Sequence, residues 1–200
     1  MSALPKTLYT LAEYLVLDAE SDERLEYFNG EIFSMSGVKD EHDQIESNFH
    51  FYLRLALRGR ACRVFLANMR LRVPSLPPYR YADGSALCGQ PVFQQIHGVD
   101  TLTNPSLIVE ILSPSTAAFD QGEKFTHYKS IESFTEYVLL AQDRPHVKKL
   151  VRQSAGAWLE TEVNGLDSEI YLSSLDCSLS VCDLYEGVAF PENRIPFNLR

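Results

Sequence analysis

Long apolar segments and closely spaced cysteines are both missing from this sequence of 200 residues. No apolar run approaches the ~20 residues that a membrane-spanning helix needs. The N-terminal stretch MSALPKTLYTLAEYL also lacks the basic and then apolar layout of a signal peptide. We therefore expect a protein that does not contact membranes and that resides in the cytoplasm.

The four cysteines are Cys62, Cys88, Cys177 and Cys182, and none of them belongs to a C-x-x-C pair. Their spacing does not predict a zinc site, and we expect all four to be free thiols. The five histidines are scattered, so their spacing predicts no metal-ligand cluster either.

Positive charge is scarce, because 18 Lys and Arg residues face 27 Asp and Glu residues, for a net charge of -9. This balance argues against a surface that binds polyanions as a whole. Six arginines are nevertheless clustered in one short region, at Arg54, Arg58, Arg60, Arg63, Arg70 and Arg72. Two interpretations are equally supported: Arg58, Arg60, Arg70 and Arg72 contact a phosphate backbone, or these arginines pair with the acidic segment 18–46.

Local patterns predict a mixed α/β fold around one sheet, in a single domain over residues 1–200 with its core at about 40–141. Thr10 is a candidate N-cap of a first helix, and Asn29-Gly30 is a strong hairpin signal. EHDQIESNFHFYLRLALRGR predicts an amphipathic helix, and EYVLLAQ predicts a strand buried on both faces. HVKKLVRQ and AWLETEV predict a second hairpin, whereas CGQPVFQQIHGVDTLTNP predicts a loop or an edge excursion.

The apolar strand LIVEIL carries one carboxylate, Glu110, and burying a charge there requires a partner, a metal or a proton. Asp83 lies in a second predicted core strand, YADGSAL, and Lys124 begins the helix that follows Glu110. Two carboxylates on adjacent strands can hold Mg²⁺. A nearby lysine can orient or deprotonate an attacking water and offset developing phosphate charge. This set is typical of a metal-assisted phosphodiesterase.

Structural interpretations of the same residues stay open. Asp83 precedes a glycine, and Asp-Gly is a common turn dipeptide. Glu110 can pair with Arg70 or Arg72 instead of a metal.

Lys124 follows Asp120 by four residues, so a solvated ion pair on a helix surface is a further alternative. Tyr128 can pack in the core or hydrogen-bond within the site. His42 is as consistent with a capping or packing role at a helix start as with a functional one.

The stretch VEILSPST, followed by the spacing of Asp120, Lys124 and Tyr128 and then by EYVLL, resembles the Uma-type restriction endonucleases. These belong to the PD-(D/E)XK nuclease superfamily. RLEYFNGEI and His42 are similar to further parts of that family, and the resemblance extends from Thr10 to Leu184.

Three positions depart from the superfamily pattern. Ala82 stands where the superfamily has a proline, and Leu112 stands where it has a lysine two residues beyond the glutamate. Gly84 is a residue that can distort its strand.

The resemblance implies a restriction endonuclease-like α+β fold, with a mixed sheet flanked by helices, an N-terminal helix and hairpin, and a C-terminal β-hairpin extension. It also implies a Mg²⁺-dependent DNA endonuclease, with Mn²⁺ as a substitute. Cutting both strands of a duplex favours a symmetric homodimer with one site per strand. The implied roles are the following: Asp83 and Glu110 as metal carboxylates, the Ile111 carbonyl as a further ligand, Lys124 as the catalytic lysine, and Glu26, His42 and Tyr128 as accessory residues.

Two other functions remain compatible with the sequence. A catalytically inactive binding module for nucleic acid or protein is favoured by the net charge of -9 and by the missing proline and strand lysine. A hydrolase of small phosphate esters also suits an acidic surface.

Overall fold

A computed structural model describes residues 8–23, 25–28, 30–34, 39–75, 78–96 and 98–190 of the protein. Its largest layer is a six-stranded mixed sheet. In spatial order the strands are β12 (Trp158–Asn164), β11 (His146–Arg152), β10 (Glu136–Ala141), β9 (Leu107–Leu112), β6 (Gly84–Cys88) and β3 (Cys62–Leu66). β9 and β10 run parallel, and the other neighbouring strands run antiparallel.

A second sheet of four strands joins the first through the bend before Gly84. Its strands are β5 (Tyr79–Tyr81), β4 (Arg70–Arg72), β8 (Val99–Leu102) and β7 (Phe93–Ile96). The expectation of a single sheet was therefore wrong. The segment predicted as a loop or edge excursion contains β7 and β8, and β7 shows no clear apolar alternation because its side chains are mostly exposed.

Two hairpins complete the β structure of the described residues. They are β1 (Leu25–Phe28) with β2 (Glu31–Ser34), and β13 (Glu169–Leu172) with β14 (Cys177–Ser180). The β1–β2 hairpin confirms the prediction from its turn sequence, although Asn29 itself lies outside the described residues. The predicted C-terminal hairpin is also confirmed, since β11 and β12 pair along their full length.

The helices are α1 (Leu11–Glu20), α2 (Asp40–Ala56), α3 (Ala117–Phe119), α4 (Phe125–Tyr128) and α5 (Val181–Leu184), with a π-helical turn at Asp120–Lys124 and a 3₁₀ turn at Ser154–Gly156. Thr10 caps α1 as predicted, because its side chain accepts from the Glu13 N–H while the Glu13 carboxylate accepts from the Thr10 N–H. Among the described helices, none is long and apolar enough to cross a lipid bilayer.

The two faces of the six-stranded sheet are covered by different elements. On one face, Val109 and Ile111 of β9 share a hydrophobic core with Phe49 and Leu53 of α2. On the other face, Ile108 shares a core with α4 and the segment after it. Burial on both sides explains why β9 and β10 are almost continuously apolar in sequence.

Arg70 anchors α1 to the four-stranded sheet and is 1% exposed. Its guanidinium donates to Asp18 Oδ2 at 2.9 Å and to the carbonyl of Ile96 at 2.8 Å, and it lies over the Tyr79 ring. The expectation that Arg70 contacts DNA was therefore wrong, because a phosphate cannot reach it. For this arginine the alternative of pairing with the acidic segment is confirmed.

The other three arginines expected at a phosphate backbone differ in accessibility. Arg72 is partly buried and donates to the carbonyls of Val73 and Pro78. Arg58 and Arg60 are exposed, and Arg60 donates to the Asp176 carbonyl at 2.9 Å. Arg58 and Arg60 are thus the members of the set that a ligand can reach most easily.

Two cysteines correct the expectation of four free thiols. Cys62 of β3 and Cys88 of β6 are direct cross-strand partners and form a disulfide. They are 26 residues apart in sequence, so only the strand register, which spacing does not reveal, brings them together. Cys177 and Cys182 are free, as expected.

Gly84 lets α2 approach the start of β6. A methyl group added at its Cα would lie 3.0 Å from a ring carbon of Phe49 and 3.0 Å from His50 Nε2, both buried. Gly84 does not break its strand, because it pairs with both Leu66 and Val109.

We predict that Gly84→Ala lowers the free energy of unfolding by about 1–3 kcal/mol, because the added methyl overpacks the contact with α2. Urea unfolding at neutral pH measures this change. Gly122→Ala is the matched control, since a methyl group added there would have nothing within 4 Å. The control is expected to be neutral or slightly stabilising, and a Gly84→Ala protein as stable as the wild type would contradict the prediction.

Candidate active site

Asp83 lies at the bend between the two sheets and directly before β6. The antiparallel register pairs Gly84 with Val109, so one further residue places Asp83 opposite Glu110. The Ile111 N–H donates to Asp83 Oδ2 at 2.6 Å. Asp83 is therefore not the turn of a hairpin, because the strands on either side of it belong to different sheets.

Glu110 is 2% exposed and holds two partners on one carboxylate oxygen. The Tyr128 hydroxyl donates to Glu110 Oε1 at 2.8 Å, and Lys124 Nζ lies 2.9 Å from the same atom. The partner of this buried charge is thus the lysine of the following helical segment. Arg70, which the sequence left as an alternative, pairs with Asp18 instead.

Lys124 is enclosed by carboxylates and is 2% exposed. Besides Glu110, its ammonium lies 3.7 Å from Asp120 Oδ1 and 3.8 Å from Glu26 Oε1. The pair with Asp120 exists, but it is buried, so the interpretation as a solvated surface pair was wrong. Asp120 is the first residue of a π-helical turn and Lys124 is its last. Such turns are frequent at functional sites.

These contacts decide the charge state of Lys124. Burial alone lowers the pKa of its ammonium, but Glu110, Glu26, Asp120 and Asp83 together raise that pKa above its ordinary value. The lysine therefore stays protonated at neutral pH. A protonated lysine favours the role of orienting groups and offsetting negative charge over the role of deprotonating a water.

The pKa values of Glu110 and Asp83 are shifted in opposite directions. Burial raises the pKa of Glu110 well above its usual range, with Asp83 and Asp120 adding to the effect and Lys124 opposing it. Burial also acts to raise the pKa of Asp83, but His42, Lys124 and the Ile111 N–H outweigh it and lower that pKa. Asp83 is therefore the carboxylate that remains ionised most readily.

The accessory residues suggested by the sequence lie around this centre. Glu26 of β1 is buried, accepts from the Tyr81 N–H at 3.1 Å and faces Lys124. Tyr128 combines both of its proposed roles, since it is packed in the core and also bonds Glu110. His42 is in the first turn of α2, where Lys39 and not His42 is the N-cap, and its Nε2 lies 3.3 Å from Asp83 Oδ1.

The arrangement fits a divalent cation in its charge and its ligand chemistry. Four carboxylates, Glu26, Asp83, Glu110 and Asp120, interact with the single ammonium of Lys124. A cation would offset the remaining negative charge, and carboxylate oxygens are the ligands that Mg²⁺ and Mn²⁺ prefer. The Ile111 N–H is the group that touches Asp83, and the role of the Ile111 carbonyl as a ligand stays a prediction.

Sequence reasoning missed Glu46, which lies near the centre. Its Oε2 is 4.0 Å from His42 Nε2, and His42, Glu46 and Asp83 each offer a ligand atom within 4.8 Å of the other two. The prediction from spacing that no histidine belongs to a metal-ligand cluster was therefore incomplete. The signal was present in HDQIE, because residues four apart share one face of a helix.

Sequence reasoning also missed Arg80, which is fully buried. Its Nη1 donates to the Tyr27 carbonyl at 2.8 Å, and its Nη2 lies 3.1 Å from His127 Nδ1. Burial and then the nearby Arg80 lower the pKa of His127, so this imidazole is neutral and accepts from the guanidinium. No local pattern in YRY indicates such a contact, which joins residues 47 positions apart.

A family model described as Uma2, putative restriction endonuclease, matches residues 11–182. The chain belongs to this family. Two uncharacterized proteins of Synechocystis sp. are similar to it: sll1609 is 33% identical, over 83% of this chain and 93% of that protein, and slr1290 is 28% identical, over 89% and 92%.

The fold is also that of a solved structure, a putative nuclease belonging to DUF820 from Anabaena variabilis. The TM-score is 0.71 at 20% identity, with 92% of this chain and 100% of that chain covered. The family and fold implied by the resemblance are thus confirmed, and the Uma2 match extends over every candidate site residue.

We predict unequal effects on stability from replacing the two ends of the Lys124–Glu110 pair in metal-free buffer. Lys124→Met is expected to lower the free energy of unfolding by about 3–5 kcal/mol, because it leaves buried carboxylates without their cation. Lys148→Met is the control, since Lys148 pairs with two half-exposed carboxylates and its loss costs less than about 1 kcal/mol. A Lys124→Met protein as stable as the wild type would refute this assignment.

Glu110→Gln is expected to change stability by no more than about 1 kcal/mol at neutral pH. The pKa of Glu110 is raised in the fold, so the wild type loses stability as pH rises through that raised pKa. The Glu110→Gln variant has no such loss, and its stability relative to the wild type should increase from pH 5 to pH 8. Unfolding curves at several pH values measure this trend. If the relative stability of the variant decreased with pH instead, the ionised Glu110 would not be destabilising the fold.

Proposed function

We propose that the protein is a Mg²⁺-dependent DNA endonuclease whose centre is formed by Asp83, Glu110 and Lys124. The observation that carries the proposal is the buried ammonium of Lys124, 2.9 Å from Glu110 on the strand next to Asp83. Ordinary surface ion pairs are exposed and worth little. An ion pair enclosed by three further carboxylates is costly to bury, and such charge is typical of functional sites.

Asp83 and Glu110 are the residues that would hold the cation, with the Ile111 carbonyl as a further oxygen ligand. When bound, a divalent cation supplies Lewis-acid polarisation of a phosphate oxygen and lowers the pKa of a bound water. The low pKa of Asp83 keeps its carboxylate ionised and ready to bind such a cation at neutral pH.

Lys124 contributes a fixed positive charge to the same centre. Its raised pKa keeps it protonated, so it can donate hydrogen bonds to a phosphate oxygen or to the attacking water. Tyr128 fixes the carboxylate of Glu110 through its hydroxyl, and Glu26 and Asp120 fix the ammonium. These residues position the charges before the substrate arrives.

The proposed reaction is hydrolysis of a phosphodiester. The water oxygen forms a bond to phosphorus, the bond between phosphorus and the 3′ oxygen breaks, and the proton lost by the water is returned to the leaving oxygen through solvent. The products are a 5′-phosphate and a 3′-hydroxyl, as the resemblance to the superfamily implies.

DNA is the proposed substrate and a homodimer the proposed assembly. The exposed Arg58 and Arg60 supply local positive charge on a protein of net charge -9. Cutting both strands of a duplex requires two sites of opposite orientation, which a twofold dimer provides.

We predict that the purified protein nicks supercoiled plasmid DNA with Mg²⁺ or Mn²⁺ and that EDTA stops the reaction. Glu110→Gln and Lys124→Met should each lower the rate at least about a hundredfold, because each removes a charge that acts on the reacting phosphate. Conversion of supercoiled to open circular plasmid on agarose gels measures the rate. Glu162→Gln, an exposed carboxylate on β12, is the control and should cleave like the wild type.

The alternative of an inactive binding module predicts a different outcome. Such a protein would shift a DNA duplex in a native gel, with or without metal, and would leave every plasmid intact. Folded wild-type protein that gives no cleavage across several DNA substrates, metals and pH values would overturn the proposed activity in favour of this module.

A further inference from the structure

The N-terminal turn of α2 brings a nitrogen donor and a second carboxylate to the edge of the proposed centre. His42 and Glu46 are one helical turn apart, and both point to Asp83 at the start of β6. His42 is buried, and the side chains of Glu46 and Asp83 are only 20% and 13% exposed. The cluster is thus sheltered, unlike the acidic groups common on protein surfaces.

We propose that His42, Glu46 and Asp83 form a metal site of their own, which shares Asp83 with the proposed catalytic pair but does not require Glu110. None of the roles implied by the family resemblance assigns Glu46, and His42 enters there only as an accessory residue. The proposed ligand is a divalent transition-metal ion bound by one imidazole nitrogen and two carboxylate oxygens.

The distances between the ligand atoms suit such an ion. Bonds of about 2.0–2.2 Å place neighbouring ligands about 3.0–3.5 Å from each other. His42 Nε2 and Asp83 Oδ1 are already 3.3 Å apart, and His42 Nε2 and Glu46 Oε2 are 4.0 Å apart. The ligand atoms of Glu46 and Asp83 lie within 4.8 Å of each other, so Glu46 must move toward the other two ligand atoms when an ion binds.

The two carboxylate oxygens of Asp83 have different partners. Its Oδ2 accepts from the Ile111 N–H, whereas Oδ1 faces His42 and is the oxygen directed toward the cluster. Glu110 Oε1, in contrast, already receives Lys124 and the Tyr128 hydroxyl. A cation beside Asp83 Oδ1 can therefore be coordinated by the His42 imidazole and the Glu46 carboxylate without displacing the Lys124 ammonium.

The ligand types predict which ion binds best. Imidazole favours Zn²⁺, Co²⁺ and other transition metals, whereas Mg²⁺ prefers oxygen ligands alone. We therefore expect the site to bind Co²⁺ or Mn²⁺ at least about tenfold more tightly than Mg²⁺. This inference goes beyond the proposed function, because it adds a second metal site that shares Asp83 with the proposed centre, and it is tested by binding and not by cleavage.

The test is titration of the full-length protein and of four variants with Co²⁺, Mn²⁺ and Mg²⁺. Isothermal calorimetry gives affinity and stoichiometry, and the visible absorption of bound Co²⁺ reports its ligands. Glu46→Gln and His42→Gln should each weaken Co²⁺ binding at least about tenfold. His42→Gln should also reduce the preference for Co²⁺ over Mg²⁺ and change the Co²⁺ spectrum, because the nitrogen ligand is lost.

Two further variants separate this site from its neighbours. Asp43→Asn removes an exposed carboxylate from the same helix turn and should leave binding unchanged. Glu110→Gln should retain, within about threefold, the affinity for the Co²⁺ ion that depends on His42 and Glu46, because Glu110 is not a ligand of that ion. The same variant should weaken any ion held between Asp83 and Glu110. Urea unfolding of each variant establishes that it is folded before binding is compared.

The result that would overturn the inference is also specific. If Glu110→Gln abolishes binding while His42→Gln and Glu46→Gln do not, the ion lies between Asp83 and Glu110 and the inference is wrong. If no metal binds to the folded wild type, it is wrong as well. Binding that depends on His42 and Glu46, together with a complete lack of DNA cleavage, would instead sustain the inference and reject the proposed nuclease activity.

Discussion

The buried ammonium of Lys124 is the interaction on which the candidate site depends. It compensates carboxylates from three different parts of the fold: Glu26 on the β1–β2 hairpin, Glu110 on β9 and Asp120 at the start of its own π-helical turn. Without a cation at this point, these groups would be buried charges with no compensation. The lysine thus joins the N-terminal hairpin, the central sheet and the helical segment around one charge.

The single ammonium of Lys124 does not balance the negative charge of the carboxylates around it, and this imbalance has a direct physical consequence. The pKa of Glu110 is raised because burial and neighbouring carboxylates disfavour its ionised form more than Lys124 favours it. Such a group makes the fold less stable at high pH than a neutral residue would. A protein retains such a cost at a functional site, where stability and activity conflict, and a bound cation would remove much of it.

Asp83 connects this charged centre to the opposite face of the sheet. It lies where the chain leaves the four-stranded sheet and enters β6, so it interacts electrostatically with Lys124 and lies 3.3 Å from the imidazole of His42 on α2. The close approach of α2 depends on Gly84, which has no side chain to hold Phe49 and His50 away. The Asp-Gly dipeptide, which resembles a turn in the sequence, is therefore the position at which strand, helix and bend meet.

The features that sequence predicted well are those fixed by local chemistry. The N-cap of α1, the hairpin at Gly30, the amphipathic face of α2 and the apolar strands β9 and β10 each follow from residues close together in the chain. The features that it missed depend on register between distant segments. The disulfide joins residues 26 positions apart, and the contact of Arg80 with His127 joins residues 47 positions apart.

The candidate site was predicted in part from local sequence, and the rest of it depends on contacts between distant segments. The carboxylates could be found because a charge in LIVEIL is anomalous, but the position of the lysine could not be fixed by spacing alone. Leu112 occupies the strand position where the superfamily has its lysine, and Lys124 reaches Glu110 from the π-helical turn instead. This solution works because Phe125 and Tyr128 pack the following turn into the core beside β9. The ammonium is therefore positioned by tertiary packing and not by the backbone of the strand, so substitutions in that packing should disturb the site even where they touch no charged residue.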